Sequence, residues 1–185
     1  MTPVDVAQRL AGLRGDFDRS FAEPARQHAE HVALLAIHAG GRPYALLLSQ
    51  ASGVHCDRPV TPLPGPQAAL LGVAGFSGTI VPVYDLAALL GHPVPGRPRW
   101  LVLADGSPPL ALAFHDLDGH VRVPASVIVG EPGGVGEPGG NAYRGDVLRG
   151  MVPLPDGTRP IVDLPSARTV VHQLTGHTTY HTEEG

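Results

Sequence analysis

The chain has 185 residues, 43% of them hydrophobic, and a formal net charge of −4. That length suits one domain or two small lobes sharing a core, and the apolar content excludes general disorder. The acidic balance speaks against a nucleic-acid partner, and all 13 basic residues are arginine, which excludes a lysine-dependent phosphate loop or Schiff base.

A content of 24 glycines and 20 prolines favours many short strands punctuated by turns over a helical bundle. One cysteine, Cys56, rules out an intrachain disulfide and does not imply an oxidising compartment. No run approaches the ~18–20 apolar residues that cross a bilayer, and the N-terminus lacks the basic-then-apolar order of a secretory signal. Cytoplasm, without direct membrane insertion, is the expected location.

The first element reads as a helical extension over residues 1–24. Thr2, Pro3 and Asp5 supply a capping hydroxyl, a proline at the first helical position and a carboxylate three residues after the cap. Apolar residues then recur with helical spacing at Val6, Leu10, Leu13 and Phe17, and Pro24 ends the run. That stripe calls for burial, either on its own domain or on a partner.

From His31 the pattern changes to strands. Residues 31–39 are apolar except at His31 and His38, a strand covered on both faces, and residues 42–48 return after Gly40-Gly41 as a hairpin. Val54-His55-Cys56 is a short strand, and four prolines keep residues 59–66 out of any central strand. Residues 71–84 read as a strand, a glycine turn at Gly78 and a second strand, with Asp85 opening a short helix that Gly91 and Pro93 stop. A further hairpin joins residues 99–104 and 110–115, and residues 121–124 form another strand. Residues 130–140 contain Glu-Pro-Gly-Gly twice and read as a surface loop. The last strands fall at 147–154 and 159–162, followed by a helix over 163–174 and a polar tail over 175–185.

An internal repeat underlies this order. Gly72 to Asp85-Leu86 and Gly150 to Asp163-Leu164 each span 13 positions, with glycine turns at Gly78 and Gly157. The repeat predicts two similar small β-barrels.

Catalytic readings fail on context. Gly75-Phe76-Ser77-Gly78-Thr79 resembles a nucleophile elbow, but the elbow needs a helix next and a strand follows here. His55 and Cys56 are neighbours on one strand and point to opposite faces, so they form no dyad, and Cys56 reads as a buried structural thiol. His172, His177 and His181 match no metal-ligand spacing and read as solvated. Asp85 and Asp163 open helices, where a carboxylate accepts backbone N–H bonds. No metal and no cofactor is expected.

Several segments together resemble the CheW family, adaptors that couple chemoreceptors to the CheA histidine kinase. They are Thr61-Pro62-Leu63-Pro64-Gly65, Leu71-Gly72-Val73, Gly78, Pro82-Val83, Asp85-Leu86, Ala113-Phe114-His115-Asp116 and the element over 157–164. The resemblance covers residues 31–174. It implies a mainly β domain of two five-stranded SH3-like barrels, over about 31–96 and 97–164, sharing a hydrophobic seam. It implies a non-enzymatic signalling adaptor, with the seam taking a receptor's cytoplasmic hairpin and the barrel ends taking the kinase's regulatory domain. The partner-binding residues it suggests are Val54, Leu71, Gly72, Val73, Phe76, Ser77 and Gly78. Its framework residues are Pro64, Gly65, Pro82, Asp85, Asp116, Gly150, Gly157 and Asp163. Ser77 departs from the arginine that the family carries before the turn glycine, and a hydroxyl cannot replace five fixed donors and a permanent charge. An alternative reading therefore stays open: the same fold serving another partner, in motility or on a non-receptor scaffold.

Overall fold

The computed structural model describes residues 30–64, 68–94, 96–130 and 144–176. The chain divides into Met1–Glu30 and His31–Gly185, and the second unit carries the strands. The N-terminal helix expected over 1–24, Gly65, and most of the loop and tail expected at 130–140 and 175–185 lie outside the described residues.

Among the described residues ten strands form in chain order: β1 (His31–Ala39), β2 (Arg42–Leu47), β3 (Ala51–Cys56), β4 (Leu70–Phe76) and β5 (Thr79–Asp85), then β6 (Trp100–Ala104), β7 (Leu110–Phe114), β8 (Asp116–Pro124), β9 (Leu148–Leu154) and β10 (Gly157–Val162). Three α-helices accompany them among the described residues: α1 (Leu86–Leu89), α2 (Arg144–Val147) and α3 (Leu164–Gly176). No helix among the described residues is long and apolar enough to cross a membrane. The fold is mainly β, with one five-stranded sheet in the order β8-β1-β2-β10-β9 and another in the order β3-β6-β7-β5-β4.

The strands do not divide at residue 97 as the sequence suggests. One sheet is the unbroken run β3–β7, and the other joins β1 and β2 to β8–β10. The cause is two parallel pairings. β2 lies parallel to β10, with Ala45 opposite Ile161, and β5 lies parallel to β7, with Val83 opposite Ala111. Parallel strands need a long crossover, and the crossover from β2 to β10 contains the whole second sheet.

The repeat itself is structural and runs deeper than its glycines. Gly72 and Gly150 both take positive φ, +143° and +77°. The residue after each makes an isolated antiparallel bridge, Val73 to Thr61 and Met151 to Val129. Pro82 and Pro160 each sit one residue before the parallel pairing begins, so neither removes a ladder donor on that side. Asp85 and Asp163 each receive helical N–H groups three residues on, Asp85 from Ala88 and Asp163 from Ser166.

Alternation along the strands sorts side chains into three clusters. Leu110, Leu112 and Phe114 of β7 join Leu35, Ile37, Tyr44 and Leu46 in a central cluster between the sheets. Ala111 and Ala113, on the other face of β7, pack with Phe76, Val81, Val83 and Leu101. Leu34, Ala45, Val123, Val152 and Ile161 form the matching cluster of the first sheet. Both faces of β7 are therefore covered, which is why all five of its residues are buried. The helices close the central cluster, α1 through Leu86 and Leu89, α3 through Leu164, Ala167, Val170 and Val171. Each fully buried large aliphatic or aromatic side chain contributes about 1.5–3 kcal/mol.

One charge cluster ties the first sheet together. Arg159, 3% exposed, donates to the carbonyl oxygens of Ile37 and Tyr44, pairs with Asp118 at 2.7 Å and also bonds Asp156. His38 meets the same Asp118 at 3.2 Å. Asp116, exposed at the start of β8, stands opposite His38 in the ladder, and Gly157 faces Leu154 across the β9–β10 turn.

Candidate partner-binding surface

The β4–β5 hairpin turns in two residues, with Phe76 opposite Thr79 and φ of +47° at Ser77 and +82° at Gly78. Positive φ at both central positions is the geometry whose twist matches the flanking strands. Ser77 therefore occupies an exposed tip in a conformation that glycine, asparagine and aspartate adopt more readily. Nothing in this arrangement activates its hydroxyl, and the next element is β5, as the failed elbow reading requires.

Phe76, 5% exposed, anchors the hairpin beneath the turn. The His55 ring lies 4.9 Å from it, centroid to centroid, and the Arg58 guanidinium stands 5.0 Å from its centroid. These contacts bring β3 and the connector after it to the end of β4, although β3 and β4 are the two edges of their sheet. A cation over a ring face contributes about 0.5–1 kcal/mol at an exposed position.

A groove of about 450 Å³ opens beside this stack, lined by Arg58, Val60, Pro62, Leu71, Arg97 and Pro98. Its lining is apolar apart from two exposed arginines. Neither Arg58 nor Arg97 has a carboxylate partner among the described residues. The nearby Arg99 does: it holds Asp57 through Nε at 3.0 Å and an Nη at 2.9 Å. Those bonds, with one from the Cys56 thiol at 3.1 Å, hold the Asp57 carboxyl down at about 2. Cys56 is exposed, not buried as its sequence context suggests, and its bond to Asp57 raises the thiol above its ordinary range. A raised thiol is a poorer nucleophile at neutral pH. His55 leans on Phe76 while Cys56 bonds Asp57, so the two neighbours part as strand geometry dictates.

The glycine before the groove is fixed by contact. A Cβ on Gly72 would stand 2.0 Å from the carbonyl oxygen of Thr61, so only glycine admits the Thr61–Val73 pairing that carries Val60 and Pro62 to the groove wall.

Of the suggested partner-binding residues, Leu71, Gly72, Val73, Phe76, Ser77 and Gly78 share one strand and its turn. Val54 does not join them: it packs half-buried against the central cluster, on the face opposite His55. Among the framework residues, Pro64 is exposed beyond the Thr61 bridge, Pro82 is half-buried, and Asp85 and Asp163 are buried caps. Gly150 and Gly157 belong to the other sheet. Sequence reasoning missed Arg58, Val60 and Arg97. Their only local signals are Arg58-Pro59-Val60 and Arg97-Pro98, arginines inside proline-rich connectors.

The two capping aspartates differ in their surroundings. Burial raises the Asp85 carboxyl, whose Oδ2 has no hydrogen-bond partner among the described residues. Burial acts the same way on Asp163, but bonds from Ser166, Gln50 and Arg149 outweigh it and hold that carboxyl below its ordinary range. Gln50 spans the gap: its amide donates to Asp163 at 2.6 Å while its oxygen accepts the Leu164 N–H at 3.0 Å. Among the described residues no group of three or more histidine, cysteine, aspartate or glutamate side chains could hold a metal ion.

Comparison with protein families matches residues 33–167 to the CheW-like domain. Comparison with curated proteins returns no match. Among solved structures, the crystal structure of the scaffolding protein TtCheW from Thermoanaerobacter tengcongensis matches with a TM-score of 0.60 and 17% sequence identity. The match covers 72% of this chain and 90% of that one. At that identity the likeness shows a shared fold.

Proposed function

Because the chain belongs to the CheW-like family, whose members are non-enzymatic chemotaxis scaffolds, we propose that it couples chemoreceptors to the regulatory domain of a CheA-type kinase. The observation that carries this reading is the groove beside β4: an apolar lining of Val60, Pro62, Leu71 and Pro98 with two arginines that have no carboxylate partner among the described residues. An apolar centre with a polar rim is the anatomy of a transient protein interface. The kinase domain is assigned to this groove. The receptor's cytoplasmic hairpin is assigned to the seam at the Ser77–Gly78 turn. The protein acts in the cytoplasm and is recruited to membrane receptor arrays through these contacts, without a cofactor.

Ser77 supports a second reading, in which the receptor surface serves a different partner. Against it, Arg58 sets a guanidinium on Phe76, the residue before Ser77. The turn thus keeps a fixed cation near where the family carries its arginine, supplied from another segment.

Reconstitution separates the two readings. A receptor cytoplasmic fragment on vesicles, the kinase and this chain are sedimented together. On the adaptor reading, the chain increases the kinase recovered with the vesicles, and Ser77→Arg maintains or raises that recovery. On the second reading, neither form recruits the kinase, although both remain folded.

A further inference from the structure

A second groove, of about 280 Å³, lies between β5, the β6–β7 turn and α3. Ile80 and Pro82 line it from β5, Pro109 from the turn, and Val171, His172 and Thr175 from the helix. Arg168 holds the walls in place. Its guanidinium donates to the carbonyl oxygens of Pro108 at 2.6 Å, Asp105 at 2.5 Å and Ala104 at 3.0 Å, fastening α3 to the turn. Among the described residues no acid and no arginine lines the groove. At its mouth Ile80 is 73% exposed, the most exposed large hydrophobic residue among those described.

We propose that this groove is the docking site of the chain's own segment 177–185, seated through Tyr180. Position supports it first. Thr175 is part of the groove wall, and five residues later Tyr180 can reach about 17 Å along the chain. The helix ends at Gly176, one residue past the groove wall, so the segment starts beside the groove. Composition supports it next. Tyr180 is the only apolar side chain between His177 and Gly185, so the anchor of that segment is fixed by its sequence.

Chemistry completes the match. A tyrosine offers an apolar ring to Ile80, Pro109 and Val171, and its hydroxyl needs a polar partner once covered. The Thr175 hydroxyl spends its proton on the carbonyl oxygens of Val171 and His172, at 3.1 Å and 3.0 Å, and keeps acceptor lone pairs for such a donor. The tether raises the local concentration of the ring to the millimolar range, so even a weak contact is populated. The docked segment covers Ile80, two residues past the Ser77–Gly78 turn, and competes with any partner that needs Ile80 bare.

The test uses the full chain. Isoleucine occurs only at 37, 80, 128 and 161, so an isoleucine-methyl NMR spectrum reads the groove through one of four signals. The expected result is a ring-current shift of the Ile80 methyl that disappears in Tyr180→Ser and persists in Tyr180→Phe, with the other three signals unmoved. An Ile80 methyl identical in all three chains overturns the proposal. So does an Ile80 shift that grows with protein concentration, which would assign the groove to a second copy of the chain.

Discussion

Replacing Gly72 with alanine tests whether the groove wall is built as described. The added methyl would stand 2.0 Å from the Thr61 oxygen, 2.7 Å from its carbonyl carbon and 2.8 Å from the Pro62 Cα, all backbone atoms that cannot rotate away. The residue would also have to hold φ at +143°. Such a backbone conformation costs a non-glycine residue about 1–3 kcal/mol. Relieving the clash separates Thr61 from Val73 and loses two hydrogen bonds of 2.8 Å and 2.9 Å, each contributing about 0.5–1.5 kcal/mol. The sum is about 4 kcal/mol, a large part of the stability of a small domain. Gly75→Ala on the same strand is the control: among the described residues no atom beyond its chain neighbours lies within 4 Å of its would-be Cβ, so the change is neutral or stabilising. Gly150→Ala is the repeat's counterpart, with a would-be contact of 2.8 Å to the Val129 oxygen and φ of +77°, and should cost nearly as much as Gly72→Ala. Urea unfolding followed by circular dichroism measures all three. A Gly72→Ala protein no less stable than Gly75→Ala would refute the close approach of residues 61 and 72.

The capping aspartates should respond oppositely to amidation. Asp163→Asn loses a charged acceptor of Ser166, Gln50 and Arg149 bonds and should cost about 1–3 kcal/mol at pH 7. Asp85→Asn keeps its bond from Ala88 while removing a charge that burial disfavours, so it should be neutral or stabilising by urea unfolding. The pH dependence follows the same signs. The depressed Asp163 carboxyl contributes stability that is complete above the unfolded value of about 4 and is lost as pH falls through its folded value. The raised Asp85 carboxyl contributes a penalty that grows as pH rises past that unfolded value. Asp163→Asn should therefore flatten the acid limb of a stability–pH curve, and Asp85→Asn should lift its neutral plateau. Arg159→Met should cost about 1–3 kcal/mol, because it takes the donor from the buried carbonyls of Ile37 and Tyr44, while Asp118 and Asp156 are open enough to turn to solvent. A loss under about 1 kcal/mol would show that the cluster does not secure the first sheet.

Local signals made most elements legible in the sequence. Glycine turns at Gly40-Gly41 and Gly78, the hairpin of residues 99–104 and 110–115 and the Asp-Leu helix openings each depend on neighbours a few residues apart. The allocation of strands to sheets was not legible, because it hangs on residues 45 and 161 meeting in a parallel ladder, which no local pattern encodes. Half of the candidate surface was legible for the same reason. Residues 71–78 announce themselves as one hairpin, whereas Arg58 and Arg97 come from separate connectors and acquire their role only when the sheet brings both to Leu71. Cys56 was misjudged because it ends an edge strand, and the sheet order that makes β3 an edge is not written in its local sequence.

The most direct test of the scaffold assignment is isothermal calorimetry of the full chain against the isolated regulatory domain of a CheA-type kinase from the same cell. The account predicts binding at about micromolar Kd without nucleotide or metal, weakened at least about tenfold by Arg58→Glu combined with Arg97→Glu and more strongly at low salt than at high. No heat at high concentration of folded protein, or binding that ignores both substitutions, would contradict it.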